Sequence, residues 1–318
     1  KYLNPLRFKN TQVTNWTLLR SATRLMADDD YTSATKEAKC RLEKFQLNTG
    51  HILDSRSDRS FQYHCFSSAM VGEIYLLTDD DYFKDSFLKA VEFIRNFILA
   101  NGDALYVGRG QYQSFGYGAL IYILSLAYKI TENPSIYVDI ARTTNFLRQY
   151  QRSDGSFPLV MNEVECTIPK VIELQNEEFA GWYSYNNYFD YLPFMAFFIV
   201  KADEVLSDAV LSKVENKNSK EYRDAYFIKV VRDNYEAVLS KTGGYWANDM
   251  PLPYIVTGGN NITPCYGGEQ FQKSLYSEGG IPVPFFKFFN KSIRWRGVSF
   301  FKKNTLWIFS PLGIMRRV

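Results

Sequence analysis

What this sequence has little of narrows it first. Histidine occurs twice and cysteine four times in 318 residues. Cys40, Cys65, Cys166 and Cys265 lie far apart, without the close pairs of a zinc ligand set and too sparse for a disulfide framework, so no metal is expected. There is no GxGxxG run, no Walker-type phosphate loop and no GxSxG elbow, which argues against nucleotide-dependent and serine-hydrolase chemistry, and no cofactor is expected. Charge of one sign is also missing. Lys and Arg total 37 against 34 Asp and Glu, a net +3, so nucleic acid is not the expected partner. Basic residues do gather near the end, from Lys287 to Arg317, interleaved with Phe and Trp. No apolar run reaches the roughly 18 residues of a membrane span, and the nearest, Tyr191 to Val200, is too short. The chain begins at Lys1 without a methionine, so an earlier leader could have been removed and the compartment stays open.

What is abundant is aromatic: 23 Tyr and 25 Phe, many of the tyrosines beside Asn, Gln, Gly or Arg. Such residues either fill wide gaps between helices with their hydroxyls bonded at the rim, or stack on sugars in a cleft. The hydrophobic periodicity supports the helices. Helical spacing is expected over Asn15–Ala27, Ala34–Leu47, Phe61–Leu77, Tyr82–Ala100, Tyr112–Ile130, Ile136–Gln151, Trp182–Val205 and Glu221–Ser240. Glycine stop signals follow at Gly50, Gly102 and Gly155, spaced 52 and 53 residues apart, with a stretched interval of 89 to Gly244. Asp28–Asp29–Asp30–Tyr31 recurs as Asp79–Asp80–Asp81–Tyr82. A period near 50 made of two helices is the signature of stacked helical hairpins.

In each hairpin the first helix is apolar nearly all round and the second carries a charged stripe, so first helices should form an inner ring and second helices an outer one. The expected fold is mainly α: an incomplete (α/α) barrel or toroid of about four helical hairpins over residues 1–244. Residues 245–318 are rich in Pro and Gly, and form a loop-rich segment with a short β-hairpin from Ile293–Phe301 and Thr305–Phe309. The short turns inside hairpins fall on one edge of such a ring. The longer connections between hairpins fall on the other, at the N-termini of inner helices, where binding residues are usual.

That second edge carries DSRSDRSFQYHCFSSAMVGEIY (54–75), GRGQYQSFGYGALIY (108–122) and QRSDGSF (151–157). The first two resemble the helical toroids of carbohydrate-active proteins, the heparinase II/III-like and alginate-lyase-like polysaccharide lyases. The third is similar to the QxxDGSW turn of α-toroids more widely, terpene cyclases included. The likeness runs from about Trp16 to Gly244, and the segment after it is short for the large β-sandwich that follows the toroid in many such lyases. The resemblance implies action on an anionic oligosaccharide or polysaccharide.

β-Elimination at a uronic acid needs a partner for the carboxylate, a base for the proton beside it and an acid for the leaving oxygen. His64 with Tyr63, Tyr117 or Tyr185 could move the protons. Arg109, Gln111, Gln113, Trp182, Asn186 and Glu269 could bind substrate. The competing chemistry is hydrolysis by two carboxylates, drawn from Asp54, Asp58, Glu163, Glu165, Glu177, Glu178, Asp190 and Glu269. A toroid that binds glycan or protein without catalysis is the third possibility.

Overall fold

A computed structural model describes residues 13–27, 30–56, 58–161, 188–206, 220–240 and 254–258, with short strand pieces at 260–261, 277–278 and 281–282. Seven helices occur among the described residues. Three pairs are antiparallel hairpins: α1 (Thr14–Met26) with α2 (Tyr31–Phe45), α3 (Phe61–Thr78) with α4 (Asp81–Arg95), and α5 (Ser114–Thr131) with α6 (Pro134–Arg148). The seventh, α7 (Tyr188–Leu206), packs on α5. Each first helix touches the next first helix, α1 on α3, α3 on α5 and α5 on α7, while α2, α4 and α6 each lie outside their own partner. The helices form part of an (α/α) toroid.

Burial follows the sequence pattern. In α3 every residue from Phe61 to Ile74 is buried, and in α5 every residue from Ser114 to Ala127. By contrast α4 buries one stripe, Phe83, Phe87, Ala90, Val91 and Ile94, and exposes Asp85, Lys89 and Glu92. Each phenylalanine fully buried in this way stabilises the ring by about 2–3 kcal/mol.

The repeat is visible in hydrogen bonds as well as spacing. Asp79 and Glu132, 53 residues apart, both adopt a left-handed conformation at the end of an inner helix. The next residues, Asp80 and Asn133, cap α4 and α6 by accepting from Tyr82 and Ser135 N–H groups. On the other edge, Gly50, Gly102 and Gly155 close the same turn: Leu47 N–H donates to His51 O, Leu99 to Asp103 O and Arg152 to Ser156 O, at 2.8–2.9 Å. Glycine is required at the first two for space as well as for φ. A Cβ on Gly50 would lie 2.1 Å from Lys89 O, and one on Gly102 2.2 Å from Arg142 O, so this turn is pressed against the outer helix of the following hairpin.

One expectation is corrected. The helix expected over Glu221–Ser240 is instead three antiparallel strands, β1 (Tyr222–Arg223), β2 (Phe227–Arg232) and β3 (Tyr235–Ser240), continued by β4 (Tyr254–Thr257) and β5 (Asn260–Asn261) in the order β1-β2-β3-β4-β5. The physical reason is local. Ile228, Val230 and Val231 are β-branched, and Asp233–Asn234 makes a two-residue turn between paired Arg232 and Tyr235. A further short pair joins β6 (Ser277–Glu278) to β7 (Ile281–Pro282). The hairpin expected at 293–309 lies outside the described residues. No helix among the described residues is long and apolar enough to cross a membrane.

The sheet is docked on the long-connection edge of the toroid. Phe227 inserts among Phe61, Phe93 and Phe97, with ring centroids 5.3, 6.4 and 5.3 Å away, and Tyr254 stacks on Tyr106 at 4.3 Å. Buried Lys229 donates to Ile98 O at 2.9 Å and lies 3.7 Å from Glu236, whose other oxygen accepts from Ala100 N–H. Loss of hydration pulls the Lys229 ammonium down to about 8, with Glu236 opposing that shift.

Candidate functional site

The long-connection edge is therefore divided. Part of it lies beneath the sheet, and another part, around the loops that lead into α3 and α5, holds the partly exposed side chain of Arg109. His51 and Asp103, which occupy equivalent places after Gly50 and Gly102, both fall in the covered part and are fully buried. His51 stacks on Phe93 at 4.3 Å and meets His64 edge-on at 5.2 Å. Asp103 accepts a hydrogen bond from Tyr117 Oη at 2.6 Å and another from Tyr254 Oη on the sheet. Burial raises the Asp103 carboxyl above its usual range, while the two phenols work in the opposite direction.

Two expected catalytic side chains belong to this buried layer. His64 is fully buried. Its Nδ1 accepts from Ile52 N–H and its Nε2 lies 3.0 Å from Ala90 O, so the ring ties the α2–α3 loop to α4. This arrangement fixes a neutral tautomer with the proton on Nε2, and burial lowers the ring to about 4. With both nitrogens occupied by backbone, it offers substrate neither a base nor an acid. Tyr117, also fully buried, spends its hydroxyl on Asp103, and burial raises its phenol well above the usual range.

The other part is built from three segments. Asp54 comes from the α2–α3 loop, Tyr63 from the first turn of α3 and Arg109 from the α4–α5 loop. Arg109 Nη1 donates to Asp54 Oδ2 at 3.2 Å, and its guanidinium lies over the Tyr63 ring at 4.6 Å from the centroid. The Arg109 side chain is 22% exposed and that of Asp54 2%. Arginine thus sits at the mouth, with the carboxylate behind it and the ring beneath.

Local structure explains why these groups meet. Ser60 caps α3 by accepting from Tyr63 N–H and donates its hydroxyl hydrogen to Arg109 O at 2.5 Å, joining the two loops. Gln62, oriented to satisfy its neighbours, donates to Gly110 O and accepts from Gly116 N–H. A Cβ on Gly116 would fall 2.0–2.4 Å from that amide. Tyr112 has φ +61, rare for a bulky residue, held there because its N–H donates to Leu105 O and its carbonyl accepts from Met161 N–H. Gln111 and Gln113, expected to bind substrate, are fully buried on either side of it; only Arg109 of that loop reaches solvent as a side chain with charge. Trp182, Tyr185, Asn186 and Glu269 lie outside the described residues.

Burial pushes the Asp54 carboxyl up to about 6, against the pull of the Arg109 charge. The Asn15 N–H also favours the ionised form, although Asp54 Oδ1 has no partner in good hydrogen-bonding geometry. A carboxyl group poised there exchanges a proton near neutral pH, a property suited to acid–base work. Among the described residues no cluster of His, Cys, Asp and Glu could hold a metal ion.

Asp54 stood among the sequence candidates only as one acid of many. Its signal was placement in a loop that precedes an inner helix, and its partner was 55 residues away.

No family model matches the chain, and no curated protein matches it. Solved structures similar to it include a glycosyl hydrolase of family 88 from Bacteroides vulgatus, at 12% identity and a TM-score of 0.45 over 64% of this chain and 66% of that one. Another is a polysaccharide lyase, at 12% identity and a TM-score of 0.46 over 67% of each chain. A third is a family 76 glycoside hydrolase from a bovine Bacteroides thetaiotaomicron strain, at 15% identity and a TM-score of 0.36 over 43% of this chain and 34% of that one. The chain thus spans about two thirds of the first two and a third of the last.

Proposed function

We propose that this protein is a carbohydrate-active enzyme that cleaves an acidic, uronate-containing polysaccharide by β-elimination at the part of its long-connection edge that holds Arg109. The observation that carries this reading is the partly exposed guanidinium of Arg109, held on Tyr63 and backed by buried Asp54. A planar cation at the mouth of a site can pair a uronate carboxylate through two parallel hydrogen bonds. Neutralising that carboxylate acidifies the carbon-bound proton beside it, which is the first demand of elimination.

Of the tyrosines expected to move protons, Tyr63 is the described one beside Arg109, and Tyr185 remains an expectation. Trp182, Asn186 and Glu269 keep their expected part in holding the sugar. Asp54 favours a second reading. A carboxyl raised to about 6 is protonated often enough near neutrality to act as general acid in glycoside hydrolysis.

A panel of anionic polysaccharides separates the two. The expected product is an unsaturated uronate, seen by its ultraviolet absorbance, and lost in Arg109→Ala. New reducing ends without that absorbance would replace elimination by hydrolysis. Glycan binding with neither product would leave a binding module.

A further inference from the structure

We propose that Arg109 exchanges partners when substrate binds: the substrate carboxylate takes the guanidinium from Asp54, and Asp54 takes up a proton from solvent as its counter-charge leaves. The inference rests on the proposed action at a uronate and adds to it a proton that enters with the ligand.

Accessibility sets the order of events. The Arg109 side chain is 22% exposed and faces outward, whereas that of Asp54, at 2%, lies behind it. An incoming anion therefore meets the guanidinium first. Tyr63 holds the plane of that guanidinium from below at 4.6 Å, so its partner can change while its place does not. A substrate carboxylate and the buried Asp54 carboxylate cannot both stay ionised against one guanidinium without a large desolvation cost. The charged group that faces the Asp54 carboxyl, among the described residues, is Arg109; the other neighbour favouring ionisation is the Asn15 N–H at the start of α1. When Arg109 turns to the substrate, proton uptake is the route that keeps the site neutral. Between Arg109 and Asp54 there is one cation and one anion before binding; after it the substrate carboxylate supplies the anion and Asp54 is a neutral acid. No bond other than that O–H forms on Asp54.

Two consequences follow. Uncharged sugars leave the Asp54–Arg109 pair intact, so the exchange discriminates against neutral glycans. Affinity for a carboxylate falls as pH rises above the value at which free Asp54 ionises, approaching tenfold per pH unit.

The test follows the side-chain carboxyl carbon of Asp54 by nuclear magnetic resonance in protein labelled at aspartate, assigned by its disappearance in Asp54→Asn. If that variant does not fold, assignment comes from the signal moved by Arg109→Gln. Sodium glucuronate at constant ionic strength should raise the apparent Asp54 pKa by at least about one unit, toward that of Arg109→Gln, while methyl glucoside leaves it alone. Glucuronate without effect at any concentration overturns the exchange, as does an Asp54 pKa unmoved by Arg109→Gln. Sodium acetate as effective as glucuronate keeps the exchange and removes uronate recognition. The polysaccharide panel judges the enzymatic reading separately.

Discussion

The two parts of the long-connection edge use the same turn to opposite ends. After Gly50 and Gly102 the chain places His51 and Asp103 beneath the sheet, both fully buried, His51 among the rings of Phe61, Phe93 and Phe227 and Asp103 between the hydroxyls of Tyr117 and Tyr254. A few residues further along the same loops it places Asp54 behind a partly exposed Arg109. In the covered part an aspartate meets two phenols and serves packing. In the other part a buried aspartate meets one partly exposed arginine, and burial raises its carboxyl to about 6. Similar residues in equivalent loops thus become mortar or chemistry according to what lies above them.

The comparison can be broken most strongly from the covered side. Asp103→Ala leaves the buried hydroxyls of Tyr117 and Tyr254 without their acceptor and should cost about 4 kcal/mol, read as a fall in the urea midpoint. A cost under about 1 kcal/mol would mean that the sheet is not tied down there.

Acid should separate the parts by sign. His64 has a folded-state pKa of about 4, below its unfolded value near 6.5, so it costs stability as pH falls from 6.5 towards 4, by about 3 kcal/mol in full. His51, lowered further by burial, adds in the same direction. Asp54 is raised to about 6, above its unfolded value near 3.8, so it regains stability over a similar range as pH falls. Wild type should therefore lose less stability between pH 6.5 and 4 than Asp54→Asn, in which Asp54 no longer offsets the histidine loss. Parallel pH curves for the two proteins would contradict the assignment.

Arg109→Ala should reduce turnover at least 100-fold, equivalent to about 2.7 kcal/mol of barrier, with a much smaller change in melting temperature because Asp54 escapes by taking a proton. Full turnover would remove Arg109 from the mechanism. Gly50→Ala, at φ +94 and against Lys89 O, should cost about 2 kcal/mol with turnover kept. Tyr254→Phe, which removes one donor to Asp103, should cost about 1 kcal/mol; a larger loss would make the sheet contact more important than its hydrogen bond.

Much of the ring could be read directly. The observed helices α1 to α6 fall within a few residues of their expected spans, because a helix buried on one side repeats its apolar residues every three to four positions and because glycine stops mark the ends. The segment from 222 to 240 was misread for two physical reasons. The helical repeat was carried past its end, and Lys229, buried through its contacts with Ile98 O and Glu236, interrupts the alternation that would have announced strand β2. The site was legible as a pair of loops but not as residues. His64 drew attention as one of two histidines at the start of an inner helix, yet its ring is held by Ile52 and Ala90, 12 and 26 positions away.

The sequence by itself determined the hairpins, their order, which helix of each pair lies inside and which edge carries the long loops, since all of these depend on local periodicity and on turns that close within a few residues. Which loop residues stay wet was decided only by tertiary structure. A sheet formed more than 100 residues later in the chain covers His51 and Asp103, while the Arg109 side chain keeps part of its surface. The burial of His51 and Asp103, and with it their charge state, depends on a neighbour that no local pattern names.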